Sequence, residues 1–163
     1  MKLAVVKERR PGESRVAATP ETVRKLNGLG LEIAVETGAG AMAHFSDDAY
    51  RDAGAALAAS EADALRGAAL IFKVLRPLPE EIALMNNGAV LVGMLAPFDD
   101  RPSLQAYADR GIDAFAMELM PRISRAQNMD VLSSQSNLAG YKAVIEAAAL
   151  FERAFPQMMT AAG

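Results

Sequence analysis

The stretch LIFKVLRPLPEEIALMNNGAVLV, Leu70 to Val92, decides the fold. Leu70-Ile71-Phe72-Lys73-Val74 is an apolar run of strand length, and Pro79-Glu80-Glu81 opens a helix with proline in its first turn. Ala89-Val90-Leu91-Val92 is a second apolar strand. Apolar strands separated by a helix belong to a parallel sheet covered on both faces. Lys73 is the oddity of the stretch: a charge inside such a run either snorkels from the strand end or faces a cleft.

The same rhythm extends in both directions. Upstream, Leu3 to Val6 reads as a strand, and Thr19-Pro20-Glu21 as a helix start with Thr19 as N-cap; Gly28 and Gly30 end that helix. Leu31 to Val35 is the next strand, followed by the glycine turn Thr37-Gly38-Ala39-Gly40-Ala41 and a short helix capped by Ser46. Ser60-Glu61-Ala62-Asp63 opens another helix. Downstream, Asp100-Arg101-Pro102-Ser103 starts a helix before a strand at Ala114. Right-handed crossovers turn this alternation into an α/β fold with a doubly wound, mostly parallel sheet. From Ser134 to Phe155, Leu138, Tyr141, Val144, Ile145, Ala148, Phe151 and Phe155 recur at three- and four-residue intervals, which predicts a long amphipathic helix ended by Pro156. The expected organisation is an α/β domain over 1–133, a connecting helix over 134–156, and at 157–163 the approach to a further domain. A separately encoded partner domain is the alternative.

Composition narrows the classes. With 163 residues, 52% hydrophobic and 23% charged, the chain is long enough for one domain with a full core. A net charge of −3 leaves no basic excess for phosphates, which argues against nucleic acid. There is no cysteine, so neither a disulfide framework nor a thiolate metal site is available. The N-terminal apolar run is too short for a signal peptide and no apolar stretch reaches spanning length, so membrane contact is expected only through a partner. The single histidine, His44, has no second histidine or cysteine with which to bind a metal. No serine sits in a recognisable nucleophile motif.

Three segments carry candidate chemistry. Pro121-Arg122-Ile123-Ser124-Arg125-Ala126-Gln127-Asn128-Met129-Asp130 gathers forked guanidinium donors, an amide and a carboxylate after an apolar strand. That set suits a flat polar group such as a carboxamide, and suits equally a solvated turn whose charges pair with one another. Gly38-Ala39-Gly40 loosely fits a dinucleotide turn, but no helix opens on its second glycine; a tight strand-to-helix turn fits better. Glu8 to Arg15 forms a charged loop at the carboxyl end of the first strand, where ligands of parallel sheets sit. Arg15 and Lys73 could together hold a carboxylate, or each could pair separately with nearby acids.

The run from Met117 through Tyr141, MELMPRISRAQNMDVLSSQSNLAGY, closely resembles the NAD(H)-binding alpha subunit, domain I, of proton-translocating nicotinamide nucleotide transhydrogenases. Lys7 to Ala17 (KERRPGESRVA), Val35 to Gly40 (VETGAG) and the closing Met159-Thr160-Ala161-Ala162-Gly163 carry the resemblance across the chain. It implies that Arg122, Gln127, Asp130 and Ser133, with Ile123 and Ser124 between them, approach the nicotinamide end of NAD(H), which is held mainly by a following dinucleotide-binding domain. Hydride would then pass directly to NADP(+) on a partner subunit, with no catalytic acid or base and no metal on this chain. The implied partners are a second copy in a homodimer and the NADP-binding and membrane-embedded subunits. The implied location is cytoplasmic, peripheral at the inner face of the plasma membrane. The related alanine dehydrogenases place an arginine, a lysine and a histidine around pyruvate. Arg15 and Lys73 look like the first two, as a vestigial substrate site, but Met94 stands where the histidine would be. Amino-acid dehydrogenation is therefore the weaker alternative, beside a noncatalytic assembly or dimerisation domain. The chain alone is expected to show no turnover.

Overall fold

A computed structural model describes residues 1–153 and 155. Six parallel strands form one sheet: β1 (Lys2–Val5), β2 (Glu32–Glu36), β3 (Ala56–Ala58), β4 (Leu70–Leu75), β5 (Val90–Met94) and β6 (Asp113–Ala116), in the order β3-β2-β1-β4-β5-β6. Between them run α1 (Pro20–Gly28), α2 (Asp47–Asp52), α3 (Glu61–Leu65), α4 (Pro79–Leu84) and α5 (Arg101–Asp109); α6 (Val131–Leu150) follows the sheet.

β1 explains why the sheet has two cores. Its side chains alternate across the pleat. Leu3 and Val5 pack with Val23, Ile33, Val35 and Tyr50 on one face, while Ala4 and Val6 pack with Leu65, Ile71, Ile82, Leu91 and Tyr107 on the other. All of Leu3 to Val6 are fully buried, which is why the strand reads as uninterrupted apolar sequence. Side chains satisfy the orphan amides at the helix starts: Thr19, Ser46, Ser60 and Asp100 accept from Thr22, Ala49, Asp63 and Ser103 respectively. Thr19 and Ser46 are the caps expected from sequence, and the helices expected to open at Ser60 and Asp100 do so on those side chains.

β4 is irregular where it carries Lys73. Its register against β5 shifts between Phe72 and Leu75, and a Cβ on the facing Gly93 would lie 2.7 Å from the Lys73 carbonyl oxygen. Only glycine permits so close a backbone approach. The pairing with β1 runs out at Phe72, and the Glu8 carboxylate takes over the amides of Val74 at 2.6 Å and Leu75 at 3.3 Å.

The structure corrects four expectations. β3 was not anticipated, because Ala55-Ala56-Leu57-Ala58-Ala59 lacks the β-branched residues that mark a strand; edge pairing to β2 makes it one. Ser124–Met129 is a 3-10 helix rather than an irregular loop. The long helix starts at Val131, not Ser134, because the Asp130 side chain caps it by accepting from the Ser133 amide, and it ends at Leu150. It is not amphipathic: Ala139, Ala143, Ala147, Ala148 and Ala149 fill the faces between its larger apolar residues. Pro156 and the 157–163 segment lie outside the described residues. Residues 1–120 form one compact unit, and Pro121 onward a second. Among the described residues no helix is long and apolar enough to cross a membrane.

Candidate functional site

The second unit contains a cavity of about 290 Å³, lined by Arg122, Ile123, Ser124, Gln127, Asp130 and Ser133. Asp130 organises it. As N-cap of α6 it accepts from the Ser133 amide at 3.0 Å and from the Ser133 hydroxyl at 2.6 Å, while its own carbonyl accepts from the Ser134 hydroxyl at 2.9 Å. Arg122 Nη2 donates to Ser133 Oγ at 3.2 Å, and its Nε lies 3.8 Å from the Asp130 carboxylate. The Ser133 hydroxyl, then its amide, hold the Asp130 carboxyl below the usual carboxylate range. Three of the six lining residues are thus tied to one another at the start of a helix. The guanidinium keeps donors to spare and the Gln127 amide supplies both a donor and an acceptor. A group offering a carbonyl and an amide in one plane matches this set; the cavity walls include the apolar Ile123.

In the first unit the strand order reverses between β1 and β4, the switch point at which open α/β sheets receive ligands. Here that crevice is filled by the protein's own charges. Lys73, with 1% of its side chain exposed, donates to Glu81 at 2.6 Å and lies 3.7 Å from Glu8. Arg9 binds Glu36 at 2.7 Å and Glu61 at 3.3 Å, and reaches Glu81 at 4.0 Å. Burial raises the Glu8 carboxyl against the opposing pull of Lys73 and the two amides. Arg15 makes a two-pronged bond to Glu13, at 2.8 and 2.6 Å, which lowers the Glu13 carboxyl and raises the guanidinium. Arg15 and Lys73 are therefore each engaged by acids, as the ion-pair alternative expected. Nor does the loop from β1 to α1 offer a backbone cradle for pyrophosphate: it is long, charged, and carries Gly12 alone.

At the end of β2, Gly38 has φ +75° and donates its amide to Asp47 at 2.9 Å; a Cβ on Gly40 would stand 2.6 Å from the buried Tyr50 ring. These glycines serve turn and packing. His44 is exposed, in a left-handed conformation. Met94 ends β5, half-buried; beyond it the Glu118 carboxylate accepts from the amides of Leu95 and Ala96 and holds Ala96 at φ +48°.

Sequence reasoning missed the glutamates around Arg9 and Lys73, since acids at strand ends and helix starts read as solvated. Two signals were present. Glu36 directly closes the apolar run Ile33-Ala34-Val35, and Glu81 stands three residues after the N-cap Leu78, from which its carboxylate reaches back to the Leu78 amide at 2.5 Å.

An open parallel sheet in this order, flanked by helices and with its switch point filled by ion pairs, defines a Rossmann-like α/β domain without a glycine cradle at the end of β1. The chain belongs to the family described as alanine dehydrogenase/PNT, N-terminal domain, whose model matches residues 4–139. It is 57% identical to an NAD(P) transhydrogenase alpha-subunit polypeptide of Rhodospirillum rubrum over all of this chain and 44% of that protein. With alanine dehydrogenase of Bacillus subtilis it shares 35% identity over 94% of this chain and 39% of the relative. The crystal structure of transhydrogenase from Sinorhizobium meliloti matches with TM-score 0.93 and 48% identity, covering 100% of this chain and 48% of that one. An L-alanine dehydrogenase structure matches less well, at TM-score 0.70 and 35% identity over 72% of this chain and 32% of that one. The chain spans less than half the length of these curated relatives.

Proposed function

We propose that the chain is the N-terminal part of the NAD(H)-binding alpha subunit of a proton-translocating transhydrogenase, and that Arg122, Gln127, Asp130 and Ser133, with Ile123 and Ser124, bind the nicotinamide end of the dinucleotide. The observation that carries this is the cavity itself, in which all six residues converge on a donor and acceptor set suited to a carboxamide. A bound nicotinamide supplies the hydride chemistry. The chain's residues would orient it: Asp130 and Ser133 fix Arg122, Arg122 and Gln127 would hold the carboxamide, and Ile123 would offer the ring an apolar wall. No proton needs to move when hydride passes directly to NADP(+) on a partner subunit, so positioning is the whole contribution. Proton translocation belongs, on this reading, to membrane-embedded partner subunits. A homodimer, a following dinucleotide-binding domain beyond 157–163, and a peripheral cytoplasmic location at the membrane complete the proposal. The acids already bound to Arg15 and Lys73, with Met94 in place of an imidazole, support a transhydrogenase rather than an alanine dehydrogenase.

The test is Gln127→Asn in the complete assembled enzyme. Turnover per complex should fall by roughly tenfold to a hundredfold, with assembly intact, because a shortened side chain misplaces the amide. Unchanged turnover per complex with impaired assembly would instead support a noncatalytic assembly domain.

A further inference from the structure

Four glutamates from four elements converge on two cations at the switch point: Glu8 from the loop after β1, Glu36 from β2, Glu61 from α3 and Glu81 from α4, around Arg9 and Lys73. Their side chains are between 1% and 11% exposed, so water contributes little to screening the excess negative charge. Three of the carboxylates are satisfied. Glu36 accepts from Arg9 and the Lys7 amide, Glu8 from two β4 amides, and Glu81 from Lys73 and the Leu78 amide. Glu61 differs. One oxygen meets Arg9, which is already bound to Glu36, but Oε1 is buried with no donor. A buried carboxylate oxygen without a donor, beside three other buried carboxylates and only two cations, is where a proton relieves the excess negative charge.

We infer that Glu61 is a proton-binding site of this cluster, filled in mildly acidic solution, at the place where α3 meets the Arg9 strap of the loop after β1. The groups facing Glu61 are Arg9, Glu81 and Glu36, with Lys73 and Glu8 behind Glu81. Burial is the largest cause pushing Glu61 up, to about 7, with Arg9 opposing and the two glutamates assisting. A carboxyl raised above its unfolded value binds its proton better in the native state. Its stabilisation is complete below the ordinary value of 4.5 and is lost as pH rises toward 7.

The test is urea denaturation of the 163-residue chain, wild type and Glu61→Gln, from about pH 5 to about pH 8. The wild-type folding equilibrium constant should fall at least tenfold over this range. In Glu61→Gln, whose amide keeps a donor at all pH values, that fall should shrink markedly while any part due to Glu8 persists. Equal falls in both proteins, or a flat wild type, would overturn the site. Should the variant not fold, carbon-13 NMR of glutamate-labelled wild type decides: the Glu61 carboxyl, assigned through its own side-chain correlations, should titrate near neutrality. A midpoint in the ordinary glutamate range would overturn the inference.

Discussion

Lys73 is tolerable inside the sheet only because Glu81 and Glu8 meet its ammonium, and each of those acids in turn needs it. Removing one member of a buried pair leaves the others desolvated and unpaired, a loss of about 3–5 kcal/mol in comparable cases. Lys73→Met, which keeps an unbranched side chain one atom shorter and removes the charge, should therefore destabilise the chain by about that amount, measured as a lowered urea midpoint at unchanged slope. The Arg15–Glu13 pair is a useful contrast. Arg15 is 39% exposed on its side chain, so water screens its bond to Glu13 more than it screens the fully enclosed ammonium of Lys73. If Lys73→Met proved as mild as an Arg15 substitution, the switch point would have to be wetter than its geometry indicates.

At the scale of the element, α6 and the cavity before it depend on the same carboxylate. Asp130 caps the helix through Ser133 and sits beside Arg122, so one substitution should disturb both. In Asp130→Ala the Ser133 and Ser134 amides should exchange faster with solvent, and the first turn of α6 should fray. Because the Asp130 carboxyl is held below its ordinary value of 3.8, the cap is present above that value and is lost only as pH falls through the lower folded value. Wild-type exchange protection at Ser133 that persisted unchanged into strong acid would contradict this assignment of the cap. Caps were the most legible elements in the sequence, since Thr19, Ser46, Ser60 and Asp100 each precede a helix by the side-chain chemistry that stops it. Asp130 was read for binding and its capping role went unread, which is why the start of α6 was placed three residues late. β3 was illegible for a different reason: alanines carry no strand preference of their own, and only the neighbouring edge of β2 decides them. The candidate cavity was legible as a set of polar residues, but not their mutual bonding, which depends on the 3-10 helix that folds Arg122 back toward Ser133.

For the molecule as a whole, the strand order and the contents of its crevice point in opposite directions. The order β3-β2-β1-β4-β5-β6 provides a switch point of the kind that binds dinucleotides, yet ion pairs from Arg9 and Lys73 fill it, and no glycine turn opens a helix at the end of β1. On the proposed reading, the cavity of about 290 Å³ lined by Arg122, Gln127 and Asp130 takes the nicotinamide end alone. On the same reading, most of the affinity for the dinucleotide comes from polypeptide outside residues 1–163; the transhydrogenase relative is more than twice as long as this chain. NADH titrated calorimetrically into the 163-residue chain should give no saturable heat in the micromolar range, because a nicotinamide end alone offers too few contacts to offset the cost of association. Micromolar binding to this chain would place the pyrophosphate site within residues 1–163 and reverse the division of labour proposed for the subunit. Gln127→Asn separates the two cases, since it should weaken any binding that passes through the 122–133 cavity and leave untouched a site built elsewhere on the sheet.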